Sequence, residues 1–356
     1  MRTVSSTRIR NQERTGTDFM KSYSIQDFFL EKWYWMTGES LKKKYGLIDM
    51  NEALPKSVQL NGKLPNHLFI GATEKIGFSA LKQATLIGGP CIMDCFEDFT
   101  LESIIDMCMI LKTAKTLNIP ALVFVGTDEE QFRTNTDWRA VGTRFEKACQ
   151  QIGKKLEYPH FRVIRSDQAK IKKASKYFMN SIRSFSSIQE MADLYRIGKW
   201  TAKKEIGNTG DIKSVTAEVH RRVLATYLPS FVQKITDTKK TPFVIAVENI
   251  QQVNAVRKAR EISAKMNTFS NGPFQLAYLP VPNLDGTSRM YRSIPSGKIF
   301  LSENPLHLEK ALKKIPSPVF EYYSTVWPTE FLNEPIKTRQ DLFFFIKNLK
   351  EEILAE

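Results

Sequence analysis

Residues 91–127 read CIMDCFEDFTLESIIDMCMILKTAKTLNIPALVFVGT. An apolar start turns acidic, passes into a stretch whose apolar residues recur at helical spacing, and ends in a continuous Val/Leu/Phe run. The pattern predicts a strand over 90–95, a helix over 101–117 and a strand over 120–126. Strand, helix and strand in that order build a parallel sheet buried on both faces, with a right-handed crossover. The four acids in the first crossing, Asp94, Glu97, Asp98 and Glu102, stand out because the chain carries 52 Lys plus Arg against 38 Asp plus Glu, a formal net charge of +14.

Working outward, FRVIRS (161–166), PFVIAVE (242–248) and FQLAYLPV (274–281) are further strand candidates. They are separated by helical patterns such as WRAVGTRFEKACQQIG and VNAVRKAREISAKM. Such alternation predicts an α/β fold, an open doubly wound parallel sheet of Rossmann type. Ligands of these sheets bind outside the carboxyl ends of the strands, where Asp94 and the TDEE run at 127–130 are expected. The organisation expected is a basic flexible tail over 1–22, a Rossmann-like domain over 23–320 and a short helical segment over 321–356. In the last, RQDLFFFIKNLKEEILAE reads as one amphipathic helix with Phe343, Phe344 and Phe345 packing onto the body.

The basic balance suits a polyanionic partner, nucleic acid first. Four cysteines, at 91, 95, 108 and 149, fit neither a disulfide framework nor a paired zinc motif, and no metal or cofactor is expected. No run approaches the ~18 apolar residues of a membrane span. Arg2, Arg8, Arg10 and Arg14 among scattered Ser and Thr faintly resemble a mitochondrial transit peptide, but a cytoplasmic chain with a basic tail is the reading adopted.

The stretch NLDGTSRMYRSIPSGKIFLSENPLHLEKALKKI (283–315) resembles the end of the catalytic domain of class I aminoacyl-tRNA synthetases of the tryptophan/tyrosine branch. There a Lys-Met-Ser-Lys-Ser-type loop precedes an apolar I-F-L-[ST]-[DE] and a basic helix. FVIAVENIQQVNAVRKAREI is similar to that branch's A-I-D-Q-D-P strand and helix, and IPALVFVGTDEEQF to its V-P-L-V-I-Q-M-T-D-D-E-K strand end. KYGLIDMNEALPKSVQLNGKLPNHLFIG resembles the segment ahead of the catalytic domain. The resemblance is collinear over residues 40–320 and implies a fold of the tryptophanyl/tyrosyl-tRNA synthetase type.

The departures bear on function. The family's H-[IV]-G-H motif falls on Thr100, Leu101, Glu102 and Ser103, and its G-x-G-P turn on Phe96, Glu97 and Asp98. Arg289, Tyr291 and Arg292 replace the loop's Lys and Ser positions, and Glu248, Asn249, Gln251 and Gln252 stand in the A-I-D-Q-D-P stretch. One carboxylate ~4 Å from a phosphate costs about 4 kcal/mol at an intermediate dielectric, so an acidic turn disfavours ATP. Some 40 residues after the basic helix, against the family's helical bundle, imply that anticodon reading in the family's manner is lost. Lysines remain abundant: Lys170, Lys172, Lys173 and Lys176, then Lys199, Lys203 and Lys204, with Lys42, Lys43 and Lys44, and Arg221 and Arg222. With Arg289 and Arg292 they suit the phosphates of an RNA acceptor arm.

In the tryptophan branch a tyrosine at the first strand's end and a glutamate in T-D-D-E line the side-chain pocket. Carried over, these become Asp94 and Glu130, with Glu129 beside them. Two carboxylates converging on a partly apolar pocket call for a cation, and a guanidinium matches them bidentately. The other reading pairs Asp94 internally with Arg133 or Arg139.

Without ATP machinery, the chain resembles a second family built on the same core, the tRNA-dependent cyclodipeptide synthases, in their arginine-containing fungal form. The resemblance implies acyl transfer from aminoacyl-tRNAs, no cofactor, and a homodimer as a possibility. The bacterial G-x-S nucleophile falls within a residue of Cys95, with Thr100 and Ser103 as hydroxyl alternatives, and a small buried hydrophobe as the other reading of Cys95. No Y-x-x-x-E occurs. TAEVHRR (216–222) is the equivalent wall, which makes Glu218 and His220 the acid/base candidates. Thr73 and Ser79 in GATEKIGFS are lower-ranked nucleophiles. A divergent ATP-dependent tryptophan-tRNA ligase and a catalytically dead RNA-binding relative are the other functional readings.

Overall fold

The computed structural model describes residues 38–58, 69–88, 99–125, 137–165, 168–169, 243–266, 271–284 and 298–354. Among them six strands form one sheet: β1 (Phe69–Ala72), β2 (Ala84–Gly88), β3 (Ala121–Val125), β4 (Phe161–Arg165), β5 (Phe243–Asn249) and β6 (Asn271–Tyr278). Their spatial order is β1-β6-β5-β2-β3-β4. β6, β5, β2, β3 and β4 are parallel, and β1 adds an antiparallel edge on β6. The helices are α1 (Gly38–Tyr45), α2 (Met50–Ala53), α3 (Phe78–Lys82), α4 (Leu101–Leu117), α5 (Trp138–Lys155), α6 (Val253–Met266), α7 (Pro305–Lys314), α8 (Ser317–Thr325) and α9 (Arg339–Leu354).

The chain winds β2-α4-β3-α5-β4 toward one edge, then returns to place β5 on the other side of β2 and β6 beyond it. Right-handed crossovers then put α4 and α5 on one face and α6 on the other. The predicted doubly wound α/β sheet is what forms. All five residues of β3 are buried, as a strand covered on both faces requires.

One parallel strand was not anticipated from the sequence. The described strand between β3 and β5, ahead of α4, is Ala84–Gly88, and the predicted strand at 90–95 lies outside the described residues. ATLIG is a short apolar run followed by the breakers Gly89 and Pro90, too brief to stand out beside the longer apolar stretch behind it. Gly88 ends the strand where two elements converge. A Cβ there would lie 2.6 Å from the Val247 carbonyl oxygen and 2.9 Å from Ile110 Cδ1.

Helix α4 is buried nearly all round, more than an amphipathic surface helix would be. Its outer side is covered by the chain after β6. Lys112 donates to Glu330 Oε2 at 2.7 Å, and Lys115 lies 3.4 Å from Glu330 Oε1. Tyr322, Tyr323, Trp327, Leu342, Ile346 and Leu349 belong to the same hydrophobic core as the sheet. Helix α9 forms where an amphipathic helix was predicted. Phe343 and Phe345 pack on the core, Phe345 with its ring centroid 4.8 Å from that of Trp327. Phe344 does not, being 51% exposed. Successive helical residues point about 100° apart, so three in a row cannot share one face.

Burial alone would raise the Glu330 carboxyl, but the Lys112 hydrogen bond and charge hold it below its ordinary 4.5. A depressed carboxyl contributes stability that is present above the unfolded-state value and lost as pH falls through the folded one. Glu330→Gln is expected to destabilise by about 1–2 kcal/mol at pH 7, between exposed and buried pairs. Its urea midpoint should converge on that of the parent as the pH is taken below about 4; a gap independent of pH would count against the ion pair.

Candidate active site

The strand order reverses between β2 and β5, so the ligand crevice of this sheet opens at their carboxyl ends. Three described elements frame it: the end of β2 at Gly88, the β5–α6 turn at Ile250–Gln252, and the start of α4.

The start of α4 is closed by its own side chains. Thr100 is the N-cap; its Oγ1 accepts the Ser103 N–H at 3.1 Å and lies 2.9 Å from Ser103 Oγ. Thr100, Leu101 and Ser103 are each 1% exposed. Glu102, in the first turn, is ion-paired with Lys298, their side chains only 13% and 8% exposed. A short ladder locks this junction: Leu101 N–H donates to Ile299 O at 2.8 Å and Leu301 N–H to Phe99 O at 2.9 Å. A helix N-terminus attracts anions through free N–H groups and its dipole. Here a hydroxyl takes one N–H, and a carboxylate stands at the positive end.

One turn further on, Asp106 accepts a 2.6 Å hydrogen bond from the Tyr278 hydroxyl, joining α4 to the end of β6. Burial pushes the Tyr278 phenol well above its usual range, and the charges of Asp106 and Glu248 push it further, so it stays a donor. Gln275, fully buried, donates its amide to the carbonyls of Glu248 at 3.2 Å and Asn249 at 3.0 Å. It thereby fixes the turn after β5. Its Oε1 has no hydrogen-bond partner among the described residues.

Of the first-ranked site residues, Ser103 falls within the described set, as do the alternatives Thr100, Thr73 and Ser79 and the basic run Lys42, Lys43 and Lys44. The burial of Ser103 and its place in the α4 cap make it a structural hydroxyl; as a nucleophile it would have to leave that pair. Cys95, Glu218 and His220, the pocket residues Asp94, Glu129 and Glu130, and Lys170, Lys172, Lys173, Lys176, Lys199, Lys203, Lys204, Arg289 and Arg292 lie outside it. Of the lower-ranked nucleophiles, Thr73 is 9% exposed and accepts the Gln275 N–H at 2.9 Å, and Ser79 is exposed on α3. Sequence reasoning missed Asp106, Tyr278, Gln275 and Lys298. Only Asp106 left a signal, an acid in the middle of the apolar run SIIDMCMI.

No protein-family model matches the chain, and no curated protein sequence matches it. Solved structures do. The tryptophanyl-tRNA synthetase of Plasmodium falciparum is 13% identical with a TM-score of 0.58, the match covering 90% of this chain and 92% of that one. For the Encephalitozoon cuniculi tryptophanyl-tRNA synthetase bound to tryptophan the values are 13%, 0.58, 88% and 94%. For that of Aeropyrum pernix they are 12%, 0.59, 92% and 94%. The fold is that of the tryptophanyl-tRNA synthetases. At such identities the likeness is one of fold, and function must be argued from the site.

The matches run over 92–94% of these three synthetase chains. The C-terminal helices α7, α8 and α9 share a core with the synthetase-like sheet instead of trailing from it. Among the described residues no helix is long and apolar enough to cross a membrane.

Proposed function

We propose that this chain is an aminoacyl-tRNA-dependent cyclodipeptide synthase that takes arginine from its tRNA and joins it to a second aminoacyl group. The observation that carries the reading is the start of α4: a synthetase-like fold whose helix N-terminus at the switch point is closed by the Thr100 cap and the Glu102–Lys298 ion pair instead of being left open to phosphate. A site built this way disfavours a triphosphate, and an aminoacyl-tRNA brings its carboxyl group already activated as an ester. The net charge of +14 supports a polyanionic substrate.

In this reading the Cys95 thiolate attacks the ester carbonyl of the first aminoacyl-tRNA. The ester C–O bond breaks, a thioester forms, and the thiol proton passes to the departing tRNA hydroxyl. The α-amine of the bound residue then attacks the ester of the second aminoacyl-tRNA, which forms the first amide and releases the second tRNA. Last, the free amine of the dipeptidyl thioester attacks the thioester carbonyl, closing the diketopiperazine ring and returning the Cys95 thiol. Glu218 and His220 are the proposed proton carriers, Asp94, Glu129 and Glu130 the guanidinium pocket. Lys170, Lys172, Lys173, Lys176, Lys199, Lys203, Lys204, Arg289 and Arg292 are the proposed contacts to the acceptor arm.

Expression in a bacterium, with mass spectrometry of the medium, tests this. Arginine-containing cyclic dipeptides are expected, and Cys95→Ala should abolish them. Absence of such products together with tryptophan-dependent ATP–pyrophosphate exchange would establish the ligase reading in its place.

A further inference from the structure

Helix α7 carries its charge on one side. Leu308 and Leu312 are buried, 5% and 1% exposed, whereas His307, Lys310, Lys313 and Lys314 are on the solvent side and Leu306 is 66% exposed. Several other cations at this end of the molecule have structural work. Arg339 donates to Ile315 O at 3.0 Å and lies over the Phe320 ring, Lys112 and Lys115 hold Glu330, and Lys155 pairs with Glu352. Lys310 and Lys314 form no ion pair with any described residue, and Lys313 forms one, with the partly exposed Glu309 at 2.7 Å. Among the described residues these three ammonium groups have only the Glu309 pair and the small gain of cations in a last helical turn. Helical residues three and four apart sit about 5–6 Å from one another, so the three can meet one short run of phosphates together.

We infer that the solvent face of α7, through Lys310, Lys313 and Lys314, docks the phosphate backbone of an RNA helix. The inference rests on the aminoacyl-tRNA reading above and supplies a contact for the body of that substrate from described residues. An anionic lipid surface offers phosphates too, but Leu306 alone gives this face too little apolar area to sit in a membrane.

The test is binding of unfractionated tRNA to the full chain, followed as salt is raised. Lys310→Ala/Lys313→Ala/Lys314→Ala should weaken binding at least about tenfold at ~0.1 M salt and lower the slope of log K against log salt by about 2–3. The triple Lys→Arg variant should bind as the parent does, and both should melt at the parent's temperature, since the side chains are exposed. A parent that binds tRNA and a triple Ala variant that binds equally well would overturn this inference and leave the aminoacyl-tRNA reading standing. A parent that binds no RNA would sink both. Loss of binding to phosphatidylserine vesicles with tRNA binding untouched would assign the face to lipid and overturn the inference as well.

Discussion

Asp94→Asn and Glu130→Gln are each expected to cut the yield of arginine-containing product by about a hundredfold, with the shape of the pocket kept. The side chains are isosteric with the originals, so the change removes charge and leaves volume alone. A guanidinium desolvated against a neutral amide forfeits a charge-assisted bidentate contact, about 3 kcal/mol, which is two powers of ten in rate. Competition between Arg-tRNA and another aminoacyl-tRNA in one reaction, with both products counted by mass spectrometry, reads the effect directly. Loss should be confined to the arginine product. Equal arginine yield from both variants would refute the pocket assignment, and equal loss of all products would point to a role in folding instead.

Phe145→Ala is expected to destabilise the fold by about 3–5 kcal/mol, the largest effect of any single truncation named here. Phe145 lies on α5, is 1% exposed, and stacks on Phe99 with ring centroids 4.3 Å apart. Phe99 is also 1% exposed and stands just before the Thr100 cap, its carbonyl accepting the Leu301 N–H. Removing the ring opens a cavity between α5 and the lead-in to α4, so both the core and the start of the candidate site lose support. Chemical denaturation at neutral pH measures the cost. Phe145→Leu, which keeps most of the volume, should lose distinctly less. A loss below about 1 kcal/mol for the alanine would mean that the site collapses onto the gap.

The register of the sheet was legible in part. Helix α4, strands β3, β4 and β5 and helices α5, α6 and α9 stand close to where their periodicities place them, because long amphipathic or fully apolar segments leave few alternatives. The strand Ala84–Gly88 was missed because ATLIG is a short apolar run. Periodicity cannot tell whether such a run will find partners on both sides. That choice lies with the hydrogen-bonding edges of β3 and β5, far away in sequence.

Sequence alone determined the α/β class, the synthetase-like order of elements, the excess of positive charge and the acidic crossing at 94–102, since these depend on composition and local spacing. What only the tertiary structure decided is which partners the acids of α4 meet. Glu102 meets Lys298 and Asp106 meets Tyr278, partners 196 and 172 residues away. The Thr100–Ser103 hydroxyl pair, read as a candidate nucleophile site, became a helix cap once the ladder with 299–301 buried it. Such pairings depend on how the end of the catalytic fold returns to its beginning, and no local spacing encodes that return.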